Sequence, residues 1–319
     1  MRTHLGVAGK ARTSPARHPD ATLPFRGSRR PHRLAFVTAV AWTLPSLVSL
    51  LLMTYLAIAG ETRTNRIQIE YVAPRDPGHQ ELYEFLKQRR ALEKLQEIFS
   101  PFRLPTELTL RTIGCNGVSN AWYHGSVVSV CYEYIAEIYA IIPKETTASG
   151  ITPSDAALGQ FFYVFAHEVA HAVYDVLKVP ILGMEEDAAD FFAGYMMLQF
   201  GRDQARRLII GAAYAYDRYL QNPTVTVPLA AFSGSHSPPP QRYFNLMCMA
   251  YGSDSSTVFA DLVDLGYLPS DRARQCRREF TTLSFAFRQL IVPHLNEELA
   301  MQVLDATWLP DVQTSGFKN

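Results

Sequence analysis

Two histidines four residues apart constrain the fold of this chain more than any other feature. His167 and His171 lie in the stretch FAHEVAHAVYDV. Upstream of this stretch, Thr152 is a candidate N-cap and Pro153 suits the first position of a helix. Downstream, Val179-Pro180 is a helix-ending signal. These signals predict a helix over 153–178. Four residues make about one helical turn, so both imidazoles project from one face.

Two imidazoles at this spacing can bind one metal ion at about 2.0–2.1 Å. Glu168 follows the first histidine and is placed to accept a proton from an attacking water. The alternative is a pair of histidines hydrogen-bonded within a core helix. We predict His167 and His171 as metal ligands and Glu168 as the general base.

The acidic run EEDAAD, residues 185–190, favours the metal. Acids in the first turn of a helix interact with its dipole, which accounts for Glu185 and Asp187. Glu186 and Asp190 share one face, and a carboxylate ligand followed by an acid that orients an imidazole is typical of histidine-bound metals. We predict Glu186 as the third ligand and Asp190 as the supporting acid. Glu185 is the alternative ligand, because a one-residue error in the helix start would turn it inward.

The rest of the chain predicts strands first and helices afterwards. The β-rich runs cover 66–72, 107–113, 120–123 and 127–134, with Gly125-Ser126 as a turn. The helical patterns cover 79–99, 132–143, 184–200, 202–220, 239–251 and 271–302, besides the histidine helix. This order predicts an α+β fold, and the family resemblance described below implies that it is zincin-like. A small antiparallel or mixed sheet packs on the active-site helix, and a mainly helical C-terminal part follows.

Residues 34–60 carry no charge and are long enough to cross a hydrocarbon core of about 30 Å. The basic tail 1–33 precedes them and places the following domain outside the cytoplasm. The alternative is a signal peptide cleaved after Ala59, at a small-x-small pattern. We predict a disordered tail, an inner-membrane anchor or signal peptide, and one domain over 61–319. That domain lies in the periplasm or outside, and it is secreted if cleavage occurs.

The overall charge indicates no nucleic-acid partner. Lys and Arg together number 30, and Asp and Glu together also number 30. No global field therefore attracts a polyanion.

Four cysteines are consistent with export. Cys115 and Cys131 flank a predicted hairpin, and Cys248 and Cys276 bracket a loop and helix. We predict disulfides between these sequence neighbours. Four cysteines allow three connectivities, and free thiols or a thiolate metal site are the alternatives.

HExxH followed by ExxxD resembles the gluzincin metallopeptidases, in which a glutamate is the third zinc ligand and an aspartate supports the first histidine. The chain is also similar to the minigluzincins, which include integral-membrane prenyl-protein proteases. The stretch NAWYHGSVVSV (120–130) resembles their edge strand and hairpin, which implies substrate binding by Asn120 and Ala121. HSPPPQR (236–242) resembles their His-x5-Arg segment, which implies a catalytic His236 facing the zinc and a substrate-binding Arg242.

The bacterial family labelled "putative metallopeptidase" is the most similar, over about residues 65–300 and with the same four-cysteine layout. Two positions depart from the minigluzincin pattern, Tyr123 in place of alanine and Ser237 in place of proline, and both concern the substrate groove. From the residues alone, Asn120 could be a turn residue, His236 a loop histidine and Arg242 a surface ion-pair partner.

Together these features predict a Zn²⁺-dependent peptidase, anchored through 34–60 or secreted, that acts on a peptide or protein substrate. The alternative is an exported zinc-binding interaction domain of the same fold without significant turnover. A metal hydrolase acting on another bond is a third possibility.

Overall fold

The computed structural model of the chain describes residues 65–217, 219–220 and 226–308. The predicted basic tail and the predicted anchor over 34–60 lie outside the described residues. Within those residues, no helix is both long enough and apolar enough to span a membrane. All of the described residues fall in the compact unit Arg63–Asn319.

The β-rich runs form one four-stranded sheet in the order β1-β2-β4-β3. The first three strands of that order pair in parallel, and β3 pairs antiparallel to β4, so the sheet is mixed. The predicted turn is present, because Gly125 and Ser126 both have positive φ, as a two-residue type I′ hairpin requires. The strands are β1 (Ile67–Tyr71), β2 (Leu108–Ile113), β3 (Ala121–His124) and β4 (Val127–Cys131).

One face of this sheet is apolar and buried. Ile67, Leu108, Leu110, Val128 and Val130 are each no more than 1% exposed. The register aligns them, since Ile67 pairs with Leu108 and Leu110 with Val128. Side chains alternate along a strand. The opposite face therefore carries the polar residues, which include Gln68, Glu70 and Arg111.

Nine α-helices are described, and they confirm the α+β class with a mainly helical C-terminal part. They are α1 (Gln80–Gln88), α2 (Ala91–Phe99), α3 (Tyr132–Ile141), α4 (Pro153–Val176), α5 (Glu185–Met197), α6 (Arg202–Asp217), α7 (Pro239–Ser253), α8 (Ser270–Leu290) and α9 (Glu297–Asp305). Short 3₁₀ turns lie at 77–79, 229–233, 260–262 and 292–294.

Two predicted helices are each broken in two. The segment 79–99 was predicted as one helix, but Arg90 adopts a left-handed φ of 53° between α1 and α2. The Tyr71 hydroxyl accepts from the Leu92 N–H at 2.7 Å, so the start of α2 gains a hydrogen-bond partner. The predicted helix 271–302 ends at Leu290 because Pro293 follows, and Asn296 caps a separate α9.

Helix α4, which carries the two histidines, is the central helix of the fold. Its predicted start is confirmed, because Thr152 and Asp155 form a reciprocal capping box ahead of the helix. It packs against β3 and β4 on one side and against α6 on another. The contact with α6 is backbone to backbone, since a Cβ on Gly159 would lie 2.4 Å from the Ala212 nitrogen. Arg207 of α6 donates to Asp155 at 2.6 Å, which also ties α6 to the start of α4.

Both predicted disulfides are present. Cys115 is bonded to Cys131 and Cys248 to Cys276, and no cysteine is free. The first bridge joins the residues after β2 to the end of β4, and the second joins α7 to α8.

Candidate metal centre

Three side-chain atoms from two neighbouring helices converge on one point. The Nε2 atoms of His167 and His171, both on α4, lie 3.2 Å apart. Glu186 Oε2, on α5, lies 3.0 Å from the His167 Nε2 and 3.4 Å from the His171 Nε2. The structure thus brings together the three residues predicted as ligands. Their metal-binding role stays a prediction.

The size and chemistry of this triangle fit Zn²⁺. Ligand atoms at about 2.0–2.1 Å from a tetrahedral ion lie about 3.3–3.4 Å from one another, close to the three sides observed. Two imidazole nitrogens and one carboxylate oxygen are also a donor set of catalytic zinc sites, which keep a fourth position open.

A second group of possible ligands lies within similar distances among the described residues. It consists of Cys115, Cys131 and Glu133. Its two sulfur atoms are bonded to each other, so this group offers no thiolate. The triangle on α4 and α5 is therefore the candidate metal centre.

The turn between α4 and α5 places Glu186 against the histidines. Lys178 and Gly183 adopt positive φ angles of 55° and 111°, which reverse the chain between the two helices. The hydroxyl of Tyr174 on α4 donates to the Ala188 carbonyl on α5 at 2.8 Å. The two helices are therefore joined directly beside the triangle.

A buried network supports the first histidine from behind. His167 Nδ1 lies 2.9 Å from Asp190 Oδ1, as predicted for the supporting acid. Arg242 donates to both Asp190 oxygens, at 2.7 and 2.6 Å. Burial raises the pKa of Asp190, but the bonds from His167 and Arg242 outweigh burial and hold it well below its usual range. Asp190 is therefore a carboxylate at neutral pH.

Arg242 was predicted to bind substrate, and its contact with Asp190 was not foreseen. Its side chain is only 19% exposed, and its guanidinium lies 5.4 Å from the centre of the Tyr216 ring. These contacts assign Arg242 a role behind His167. A substrate contact by Arg242 stays a prediction.

Tyr163 and Tyr216 are further members of this network that sequence reasoning missed. Burial and, after it, the charge of Asp190 raise the pKa of the Tyr163 hydroxyl, and the Tyr163 ring lies 6.4 Å from that of Tyr216. Tyr163 precedes His167 by four residues, so the helical period alone could have placed it on the histidine face. The sequence contains no comparable signal for Tyr216, which comes from α6.

The negative surroundings of the triangle favour a cation there. Burial lowers the pKa of His167, but its bonds to Asp190 and Glu186 overcome burial and raise the pKa to about 9. The His167 contact lowers the pKa of Glu186 to about 2. Carboxylates that stabilise a protonated imidazole stabilise a divalent cation at the same place.

Glu185, the alternative third ligand, lies outside the triangle. Its Oε1 is 2.8 Å from Nδ1 of His171, on the side of the ring away from Glu186. The side chain of Glu185 is 57% exposed. This contact was not predicted from the sequence.

Glu168 is buried beside the ligands, with 7% of its surface exposed. Burial raises the pKa of its carboxyl, and the neighbouring His167 and His171 oppose that rise. A carboxyl with a raised pKa is a stronger base once ionised, which suits the predicted role as general base. That role stays a prediction.

His236 also reaches the triangle, as the family resemblance implies. Its Nε2 lies 2.8 Å from Glu186 Oε2, and its ring lies parallel to that of His167 within 16°, with centroids 6.0 Å apart. Burial lowers the pKa of His236 and favours its neutral form. Its side chain remains 52% exposed, so His236 borders both the triangle and the solvent.

Strand β3 lies at the edge of the sheet, next to α4. The Cys131 N–H donates to the Asn120 carbonyl at 3.0 Å, so these two residues form a hydrogen-bonded pair. Pairs alternate in an antiparallel ladder. The pairs Ala121–Val130 and Tyr123–Val128 are therefore not hydrogen-bonded, and the peptide groups of Ala121 and Tyr123 face outward. This edge can accept an extended peptide as an additional strand.

The fold and this site define an α+β protein in which two histidines and a glutamate lie close enough together to hold a metal ion, on a fold that also has an edge strand, β3. The model of the family described as "DUF4344: Putative metallopeptidase" matches residues 71–291. The match covers more than half of the chain, which therefore belongs to this family. No curated protein and no solved structure matches the chain.

Proposed function

We propose that the protein is a zinc-dependent peptidase that cleaves extended peptide chains outside the cytoplasm. The observation that carries this proposal is the ligand triangle on α4, the helix that also carries the buried Glu168 and packs against the edge strand β3. Family membership supports a metallopeptidase in the broader sense.

In this proposal His167, His171 and Glu186 hold the ion. A bound Zn²⁺ would act as a Lewis acid on the scissile carbonyl and lower the pKa of a coordinated water. Asp190 keeps the Nδ1 of His167 engaged, so that its Nε2 lone pair is directed into the triangle.

Glu168 accepts a proton from the attacking water and returns it to the nitrogen of the leaving amine. Its burial supports this role, because a desolvated carboxylate binds a proton more strongly than an exposed one. His236 donates a hydrogen bond to the carbonyl oxygen as negative charge develops there. Its contact with Glu186 and its half-exposed position support this assignment.

The substrate chain pairs with β3. The outward peptide groups of Ala121 and Tyr123 offer donors and acceptors to an extended backbone, independently of its side chains. Asn120 is exposed at the start of the strand and is placed to contact the same chain. Because β3 packs on α4, this pairing holds a scissile bond near the ligand triangle.

The proposal is tested by measuring zinc content and cleavage of a mixed peptide library with the full chain and its Glu168→Gln variant. We expect similar zinc content in both and a loss of cleavage of about 10²–10⁴-fold in the variant. Glu81→Gln, an exposed substitution on α1, is the control and should change neither quantity. A protein that binds zinc but cleaves nothing would favour the zinc-binding interaction domain.

The location outside the cytoplasm is supported by the two disulfides, which persist in oxidising compartments. The basic 1–33 and uncharged 34–60 segments support a membrane anchor with that orientation. Protease added to spheroplasts should digest the domain that follows residue 60. Full protection until the inner membrane is permeabilised would contradict this location.

A further inference from the structure

Each imidazole of the ligand triangle has its own carboxylate on Nδ1. Asp190 occupies this position for His167 at 2.9 Å, and Glu185 occupies it for His171 at 2.8 Å. The two carboxylates belong to the same helix, α5, which also supplies Glu186. One helix therefore contacts both nitrogens of both histidines.

The two carboxylates are held very differently. The Asp190 side chain is 11% exposed and receives two hydrogen bonds from Arg242. The Glu185 side chain is 57% exposed, and the ion pair described for it is the one with His171. Dipole stabilisation at the start of α5 explains an acid at position 185, but it does not explain a contact aimed at the imidazole.

We propose that Glu185 is a positioning residue for His171, an inference that rests on the proposed zinc site. By accepting from the Nδ1–H of His171, Glu185 fixes the tautomer whose lone pair is on Nε2. It also fixes the ring orientation that points Nε2 at Glu186 and His167. An acceptor on this nitrogen raises the basicity of the other one, which strengthens its bond to a metal ion.

The expected effect is smaller for Glu185 than for Asp190. Loss of such an acceptor weakens metal affinity by about 10–100-fold. Solvent competes for the exposed Glu185, and water can replace it on Nδ1, so Glu185→Ala should fall near the lower limit, about 10-fold. Glu185→Gln keeps an acceptor oxygen without the charge and should recover part of that loss.

The test measures the zinc affinity of the full chain after stripping with a chelator, by competition with a chromogenic chelator. Asp187→Ala is the matched control, because it removes a carboxylate from the same first turn of α5. We expect wild type and Asp187→Ala to agree within about 2-fold, since surface helix-dipole terms are small and screened by salt. Glu185→Ala should bind zinc about 10-fold more weakly.

A second measurement separates positioning from general stability. In zinc-loaded protein with ¹⁵N-labelled histidine, the Nδ1–H of His171 should exchange slowly with solvent in wild type and in Asp187→Ala. It should exchange faster in Glu185→Ala, while the His167 signal stays unchanged because Asp190 still holds it.

Equal zinc affinities for Glu185→Ala and Asp187→Ala, with unchanged exchange at His171, would overturn this inference alone. The proposed function would then still stand on the loss of cleavage in Glu168→Gln. A wild-type protein that binds no zinc would overturn the proposed metal site and this inference together.

Discussion

The two sides of the ligand triangle differ in how they are supported. On the deep side, His167 contacts Asp190, which is bonded to Arg242 and surrounded by buried tyrosines. On the open side, His171 contacts Glu185, whose side chain is 57% exposed. Rigid support and access for a substrate are thus divided between the two histidines. Substitutions on the deep side should therefore cost more stability than those on the open side.

The largest effect should come from Arg242→Met. This change removes both hydrogen bonds from the guanidinium to Asp190 and takes its positive charge away from this buried carboxylate. Breaking one partner of a buried ion pair costs about 3–5 kcal/mol, and we expect a loss of that size in the free energy of unfolding. Urea denaturation of the metal-free protein measures it.

Arg207→Met is the comparison for this prediction. Arg207 pairs with Asp155 at 2.6 Å, but its side chain is 31% exposed, so solvent reduces the cost. Equal destabilisation by the two substitutions would show that burial does not make the Arg242–Asp190 pair more important for stability than the Arg207–Asp155 pair.

The next largest effect is a pH dependence of the free energy of unfolding of the metal-free protein. The pKa of His167 is raised from 6.5 to about 9: burial lowers it, and the bonds to Asp190 and Glu186 overcome that. Because the pKa of His167 is higher in the folded than in the unfolded protein, protonated His167 stabilises the fold, and this contribution is fully present below pH 6.5. The contribution is lost as the pH rises to 9, and its size is about 3 kcal/mol.

Denaturation series between pH 6 and 10 measure this loss. Asp190→Asn removes the carboxylate charge that helps to raise the pKa of His167 and should flatten the curve over this range. A wild-type curve that is already flat would show that the deep side does not hold a proton on His167.

Helical periodicity was sufficient to predict the inner part of the site. His167 and His171 share one face of α4, and Glu186 and Asp190 share one face of α5, because each pair is four residues apart. The structure brings these four side chains together, as the four-residue spacing predicts. Their chemical roles stay predictions.

Contacts that depend on how separate elements pack could not be predicted in this way. Arg242 reaches Asp190 from 52 residues along the chain, and only a resemblance to a family motif had singled it out. The Glu185 contact depends on the rotation of α5 against α4, which a difference of one residue would change. The end of the helix before Pro293 could have been predicted from the sequence, because a proline inside a predicted helix marks its end.

The smallest expected effect on stability is that of Tyr123→Phe, on the open side. The Tyr123 hydroxyl donates to Asp175 of α4 at 2.9 Å and ties the edge strand to the histidine helix. The Asp175 side chain is 58% exposed, so a water molecule can replace the lost hydrogen bond. We expect a loss of only about 0.5–1 kcal/mol in the free energy of unfolding.

The same substitution should raise the KM for peptides several-fold and leave kcat nearly unchanged. Without the hydrogen bond to α4, strand β3 still presents the peptide groups of Ala121 and Tyr123 to a substrate. The strand is more mobile, however, so more conformational entropy is lost when a substrate pairs with both groups. Steady-state kinetics beside urea denaturation separates the two effects. A loss of 3 kcal/mol or more would mean that the edge strand is as structural as the deep side, and the division between rigid support and substrate access would fail.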